Sequence, residues 1–112
     1  MHVCFEDIGH LSATFAVDSG SKGTPVKLSA NGTVSPCGAG DVFCGVLESR
    51  RAGYGAVQLH GFVTLAYTGT APVLGYNTLV ADGSGGVKSS AEGRSYLFVH
   101  VDTTAGCVTL EL

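Results

Sequence analysis

Two stretches of this chain repeat one pattern, and that pattern restricts the fold more than anything else in the sequence. They are Gly23-Thr-Pro-Val-Lys-Leu-Ser-Ala-Asn-Gly-Thr-Val34 and Gly75-Tyr-Asn-Thr-Leu-Val-Ala-Asp-Gly-Ser-Gly-Gly-Val87. Each opens on glycine, runs through alternating apolar residues and turns on Ala-Asn-Gly or Ala-Asp-Gly. Asn-Gly and Asp-Gly between apolar runs are strong hairpin signals, because both central residues of a type I′ turn take positive φ. A chain built from such units is a compact β-module. Modules of that kind more often present a surface than carry out chemistry.

The remaining runs also read as strands. Leu11, Ala13, Phe15 and Val17 alternate with Ser12, Thr14 and Ala16, giving one apolar face at period two. Val42 to Glu48 is apolar on both parities, as expected of a strand buried on both faces or bulged near Gly45. From Ala56 to Tyr67, Val57, Leu59, Val63, Leu65 and Tyr67 keep odd parity, while Gln58, His60 and Thr64 take the other face. Gly61 falls on the apolar parity without a side chain, where a long strand can bend and serve two sheets. Leu97, Val99 and Val101 alternate against Tyr96, Phe98 and His100, and Val108, Leu110 and Leu112 close the chain. The expected fold is all-β, a single small barrel or sandwich of about eight short antiparallel strands over residues 11–112, preceded by an N-terminal arm, residues 1–10.

Composition narrows the partners. The chain has 112 residues, enough for one core, and only 13 % of them are charged, with a net charge of −3. Its cations, Lys22, Lys27, Arg50, Arg51, Lys88 and Arg94, form no basic stripe, so a nucleic-acid partner is not expected. So few charges suggest that part of the exterior is covered in the working state, as in an oligomer or docked subunit. The first ten residues lack the basic and long apolar regions of a signal peptide, and no apolar run approaches the roughly 18 residues of a membrane helix. The sequence therefore reads as cytosolic, with no membrane partner.

In that setting Cys4, Cys37, Cys44 and Cys107 are expected to be reduced. Cys44 resembles a small core residue. A zinc site is the sharper reading, given His2, His10, His60 and His100, but no Cys-x-x-Cys and no His pair at ligand spacing exist, so neither metal nor cofactor is expected. Phe15-Ala-Val-Asp18-Ser-Gly-Ser21 matches the apolar-apolar-Asp-Ser/Thr-Gly signature of aspartic proteases, and one Asp18 per chain could serve a homodimeric enzyme. The plainer reading is a strand ending in turn residues, with Leu74-Gly75 a poor stand-in for the bracing element such enzymes need. His60 and His100 lie on polar parities with no nucleophile tied to them. Gly83-Ser-Gly-Gly86 precedes no helix that could hold a phosphate. Arg50-Arg51 beside Glu48 reads as a solvated loop. Tyr54, Tyr67 and Tyr76 could act as stacking platforms in a carbohydrate-binding module.

The order Gly23-x-Pro25-Val26-x-Leu28, Asn31-Gly32-x-Val34, Phe43-Cys44-Gly45-Val46 and Val57-Gln58-Leu59-x-Gly61-Phe62-Val63 resembles small tailed-phage capsid decoration, or cement, proteins. A second glycine-led hairpin, Gly75 to Val87, follows as it does in that family. The resemblance implies a non-enzymatic virion protein, made in the bacterial cytoplasm and bound to the outer capsid surface. It would brace the major capsid protein lattice as a homo-oligomer, with a trimer favoured. On this reading the arm, with Phe5 and His10, could add a strand to a neighbour, and Phe62, Tyr67, Tyr76 and Phe98 are the aromatic candidates for the interface.

Overall fold

The computed structural model describes residues 10–112 and is all-β, with ten strands and no helix among them. In chain order they are β1 (Leu11–Ala16), β2 (Pro25–Ala30), β3 (Thr33–Pro36), β4 (Gly45–Arg51), β5 (Tyr54–His60), β6 (Phe62–Ala66), β7 (Gly75–Ala81), β8 (Val87–Ser89), β9 (Arg94–Asp102) and β10 (Cys107–Glu111). The first five close into a barrel in the order β1-β3-β2-β4-β5, and the last five form a sheet in the order β6-β10-β9-β7-β8. An isolated parallel bridge between Tyr67 and Val87 draws the two edges of that second sheet together.

There are ten strands rather than about eight because the run from Ala56 to Tyr67 is cut at Gly61, and the short return Val87–Ser89 forms a strand of its own. Gly61 acts as the run's residue pattern suggested. It sits at φ +106°, a backbone conformation that L side chains rarely adopt, and turns the chain from the barrel into the second sheet. Gln58 is buried rather than exposed at this corner, where its Nε2 donates to the carbonyls of His60 (3.1 Å) and Phe62 (3.2 Å). The N–H of Leu112 donates to the Gly61 carbonyl at 2.9 Å. Backbone groups that a sheet would have paired are thus satisfied where pairing stops.

Strand for strand, the second sheet repeats the barrel. In both, the first strand pairs antiparallel with the fifth and meets the third in parallel, at Ala16–Thr33 and Tyr67–Val87. Pro25–Val46 and Val26–Gly45 in the barrel correspond to Tyr76–Leu97 and Asn77–Tyr96 in the sheet. Both fourth strands are irregular at the same place, between Leu47 and Ser49 opposite Val57 and Ala56, and between Phe98 and His100 opposite Leu110 and Thr109. Even single hydrogen bonds recur, Val17 N–H to Gly53 and Tyr67 N–H to Gly106, both at 3.0 Å. The chain is therefore two copies of one five-stranded unit.

The two copies are packed differently. The barrel core is Val17, Val26, Val34, Leu47 and Val57. At Gly45 and Gly55 a Cβ would come within 2.4 Å of the Gln58 carbonyl and 2.7 Å of the Ser49 carbonyl, respectively. The sheet has Tyr96 and Val108 at those positions and a larger core, with Val63, Leu65, Leu79, Val87, Phe98, Leu110 and Leu112. That core also takes in Phe43 and Val46 from the barrel half. Phe43 stacks on Tyr96 with ring centroids 5.1 Å apart, and the Tyr96 hydroxyl donates to the Phe43 carbonyl at 3.3 Å. Val42 to Cys44, expected in a strand, thus form an inserted segment ahead of β4 instead.

Candidate docking surface

The β9 irregularity at Val99 decides which aromatics face outward. Residues directly opposite in an antiparallel pair share a face, so Leu97, His100 and Thr109 lie on the face away from the core, where Thr109 is nonetheless 3 % exposed, while Phe98, Val101, Val108 and Leu110 look inward. Phe98, expected at an interface, is 2 % exposed and belongs to the core. Strict alternation hid this, because an extra residue shifts the parity of everything beyond it.

On the outer face Phe62, Glu111, Leu97 and Tyr76 form one cross-strand row. Tyr76 is 76 % exposed, Phe62 and Leu97 are half-buried, and Glu111 is exposed. Beside Tyr76 the loop before β7 carries Val73 and Leu74, 68 % and 67 % exposed. That loop is held in shape: Asn77 Nδ2 donates to the Val73 carbonyl (2.6 Å) and the Gly75 carbonyl (3.2 Å), and Pro72 is buried beneath it. The structure thus places Phe62 and Tyr76 at the two ends of one row, with Glu111 and Leu97 between them. Leu97 joins them unpredicted, because register, which a sequence does not print, places it there, and Val73 and Leu74 lie in the loop that leads into Tyr76. Tyr67 is half-buried against the second core.

The other candidates are dispersed. Phe5 and Cys4 lie outside the described residues, as does all of the arm before His10. His10 is exposed, with Nε2 2.9 Å from Ser12 Oγ and 3.2 Å from Glu48 Oε2, and Ser12 Oγ also donates to Glu48. One imidazole nitrogen thus meets both partners, unlike a triad in which the two nitrogens divide hydroxyl and carboxylate. Asp18 is exposed beyond β1, and its backbone carbonyl, with that of Gly20, accepts hydrogen bonds from Arg50 (3.1 and 3.2 Å). Arg50 therefore pins the turn from the end of β4 rather than sitting in a solvated loop. His60 is exposed at the end of β5, and His100 is half-buried opposite Thr109. In the Gly83–Gly86 loop, the N–H groups of Ser84 and Gly86 already donate to the Asp82 carboxylate.

Cys37, Cys44 and Cys107 are free thiols, and among the described residues no group of three or more His, Cys, Asp or Glu could hold a metal ion. Burial, with the charge of Asp41 adding, pushes the Cys37 thiol up to about 11, and burial raises Cys44 as well. Cys44 packs against the barrel core, as its apolar neighbours suggested, though outside a strand.

Lys27 Nζ donates to Asp41 Oδ2 at 2.6 Å, and the Gly38 N–H donates to the same oxygen at 2.8 Å. The Lys27 hydrogen bond, aided by Gly38, lowers the Asp41 carboxyl below its ordinary value, and the same pairing raises Lys27. A depressed carboxyl contributes stability above the usual aspartate range, lost as pH falls through its folded value. A raised lysine contributes below the usual lysine range, lost as pH rises through its folded value. In an NMR titration the Asp41 carboxyl is expected to protonate below an ordinary aspartate, and Lys27→Met is expected to move that midpoint upward.

Neither a protein-family model nor a curated protein matches the chain.

Proposed function

We propose that this chain is a docking protein, a capsid decoration subunit that binds the outer surface of an assembled tailed-phage head and braces neighbouring major capsid subunits. The observation that carries the reading is the Val73–Leu74 loop, apolar and exposed yet held by Asn77 and Pro72. Large apolar side chains on a fixed loop lose little entropy when covered, so they favour recognition of a surface. An oligomer that docks several of its subunits at once on a symmetric shell converts modest single contacts into tight occupancy. The glycine-led hairpins and the order of the sequence motifs that resemble cement proteins support the same reading.

Co-sedimentation with expanded capsids tests it. The wild type is expected to saturate at a fixed number of copies per capsid. Leu74→Asp is expected to weaken binding at least about tenfold while leaving the melting temperature nearly unchanged, since it places a charge in a covered apolar contact. Binding by Leu74→Asp equal to wild type would remove the loop from the interface.

A further inference from the structure

Repetition within the chain shows what covers a face of this unit. In the barrel, the row Pro25, Val46, Gln58 and Ser12 runs across β2, β4, β5 and β1. Three of its four members, Pro25, Val46 and Gln58, are buried, and Val46 enters the core of the second sheet. The register-equivalent row in the second sheet is Tyr76, Leu97, Glu111 and Phe62. Apolar or aromatic side chains stand at three of its four positions, yet none of the four is buried.

The surface that receives the first row also has an open counterpart. In the second sheet, Val63, Leu65, Leu79 and Leu112 are all buried in the core that Val46 and Phe43 complete. Their equivalents in the barrel are Ala13, Phe15, Leu28 and Leu59. None of these is fully buried: Phe15 and Leu59 are half-buried against the barrel's own core, and Leu28 is 59 % exposed. Within one chain, then, Val46 of the first unit's row enters the end of the second. Tyr76 in the row of the second unit and Leu28 at the end of the first are exposed, and Leu97 is half-buried.

We propose that these two surfaces cover each other between copies of this chain. Tyr76 and Leu97 of one copy pack on the Leu28 end of the next, continuing between chains the contact that Val46 already makes between the two halves. The inference does not rest on the capsid reading. Because the two surfaces differ, the contact is heterologous: it adds copies head to tail and closes into a ring only if the rotation per copy permits. A self-complementary dimer would instead bury the same patch twice.

The difference between those contacts gives the test, made on the full chain without capsids by sedimentation velocity from micromolar to near-millimolar concentration. Wild type is expected to exceed the 11.4 kDa of one chain as concentration rises. Leu97→Glu (broken row) and Leu28→Glu (broken end) are each expected to remain at one chain, with far-UV circular dichroism and melting temperature close to wild type. An equimolar mixture of the two variants is expected to form a pair and stop there, since the intact row of Leu28→Glu meets the intact end of Leu97→Glu. A wild type that stays monomeric throughout overturns the proposal. So does a mixture in which no pair forms, or a variant that associates like wild type. Should wild type be monomeric while Leu97→Glu loses capsid binding, the row's occupant is the shell and not a second copy.

Discussion

Phe43→Ala is expected to lower stability by about 3–5 kcal/mol, the range for deleting a fully buried aromatic from a core that cannot collapse around the gap. Phe43 is 1 % exposed, stacks on Tyr96 and accepts the Tyr96 hydroxyl through its backbone carbonyl. It comes from the barrel half but sits in the core of the sheet, so its loss strips packing from the seam as well as from the sheet. For a domain whose total stability is on the order of 5–15 kcal/mol, this is a large fraction. Urea denaturation followed by tyrosine fluorescence measures it. A loss under about 1 kcal/mol would mean that the aromatic stack does not join the two halves, against the cavity cost expected of such a site.

Gly61→Val is expected to cost about 3 kcal/mol, the upper end of the strain carried by a residue held in a backbone conformation that L side chains rarely adopt. Two effects act in the same direction. At φ +106° a β-branched side chain is strained wherever it points, and a Cβ there would lie 3.0 Å from Gln58 Nε2 and 3.2 Å from His10 Cα. Moving Gln58 away would leave the His60 and Phe62 carbonyls without their donor at the corner. Equilibrium unfolding of Gly61→Val beside Gly61→Ala separates the terms, because alanine carries the backbone strain without β-branching. Equal stability of Gly61→Val and wild type would show that the chain bends elsewhere.

The sequence was informative where local chemistry alone sets the geometry. The turn at Asn31-Gly32 joins β2 to β3, and the Gly61 bend serves two sheets, both as the residues implied. Turn type was less legible. Gly32 takes φ +62° but Asn31 does not take positive φ, and the register shifts beside the turn. The two-residue loop with positive φ at both positions is Ala52-Gly53, which carries no Asn or Asp to announce it. Asp82-Gly83 opens a longer loop ending at Gly86, closed by its own carboxylate, rather than a tight turn.

Long-range register was not legible at all. The extra residue at Val99 turned Phe98 inward, and the matching irregularity at Glu48 became meaningful only once both halves were paired. The duplication has a faint trace in the chain, Thr14-Phe-Ala16 against Thr64-Leu-Ala66. It is hidden elsewhere because the narrow barrel needs Gly45 and Gly55 where the sheet holds Tyr96 and Val108. The candidate surface was half visible for the same reason: Phe62 and Tyr76 are aromatic and draw attention, whereas Leu97 joins them only through pairing.

The most direct test of the docking role is quantitative co-sedimentation of the purified full chain with expanded tailed-phage capsids, counting bound copies by gel densitometry across a concentration series. Saturation at a fixed copy number per capsid, with Leu74→Asp needing at least about tenfold more protein to reach half-saturation, is the expected result. A wild-type chain that stays in the supernatant at every concentration would contradict it.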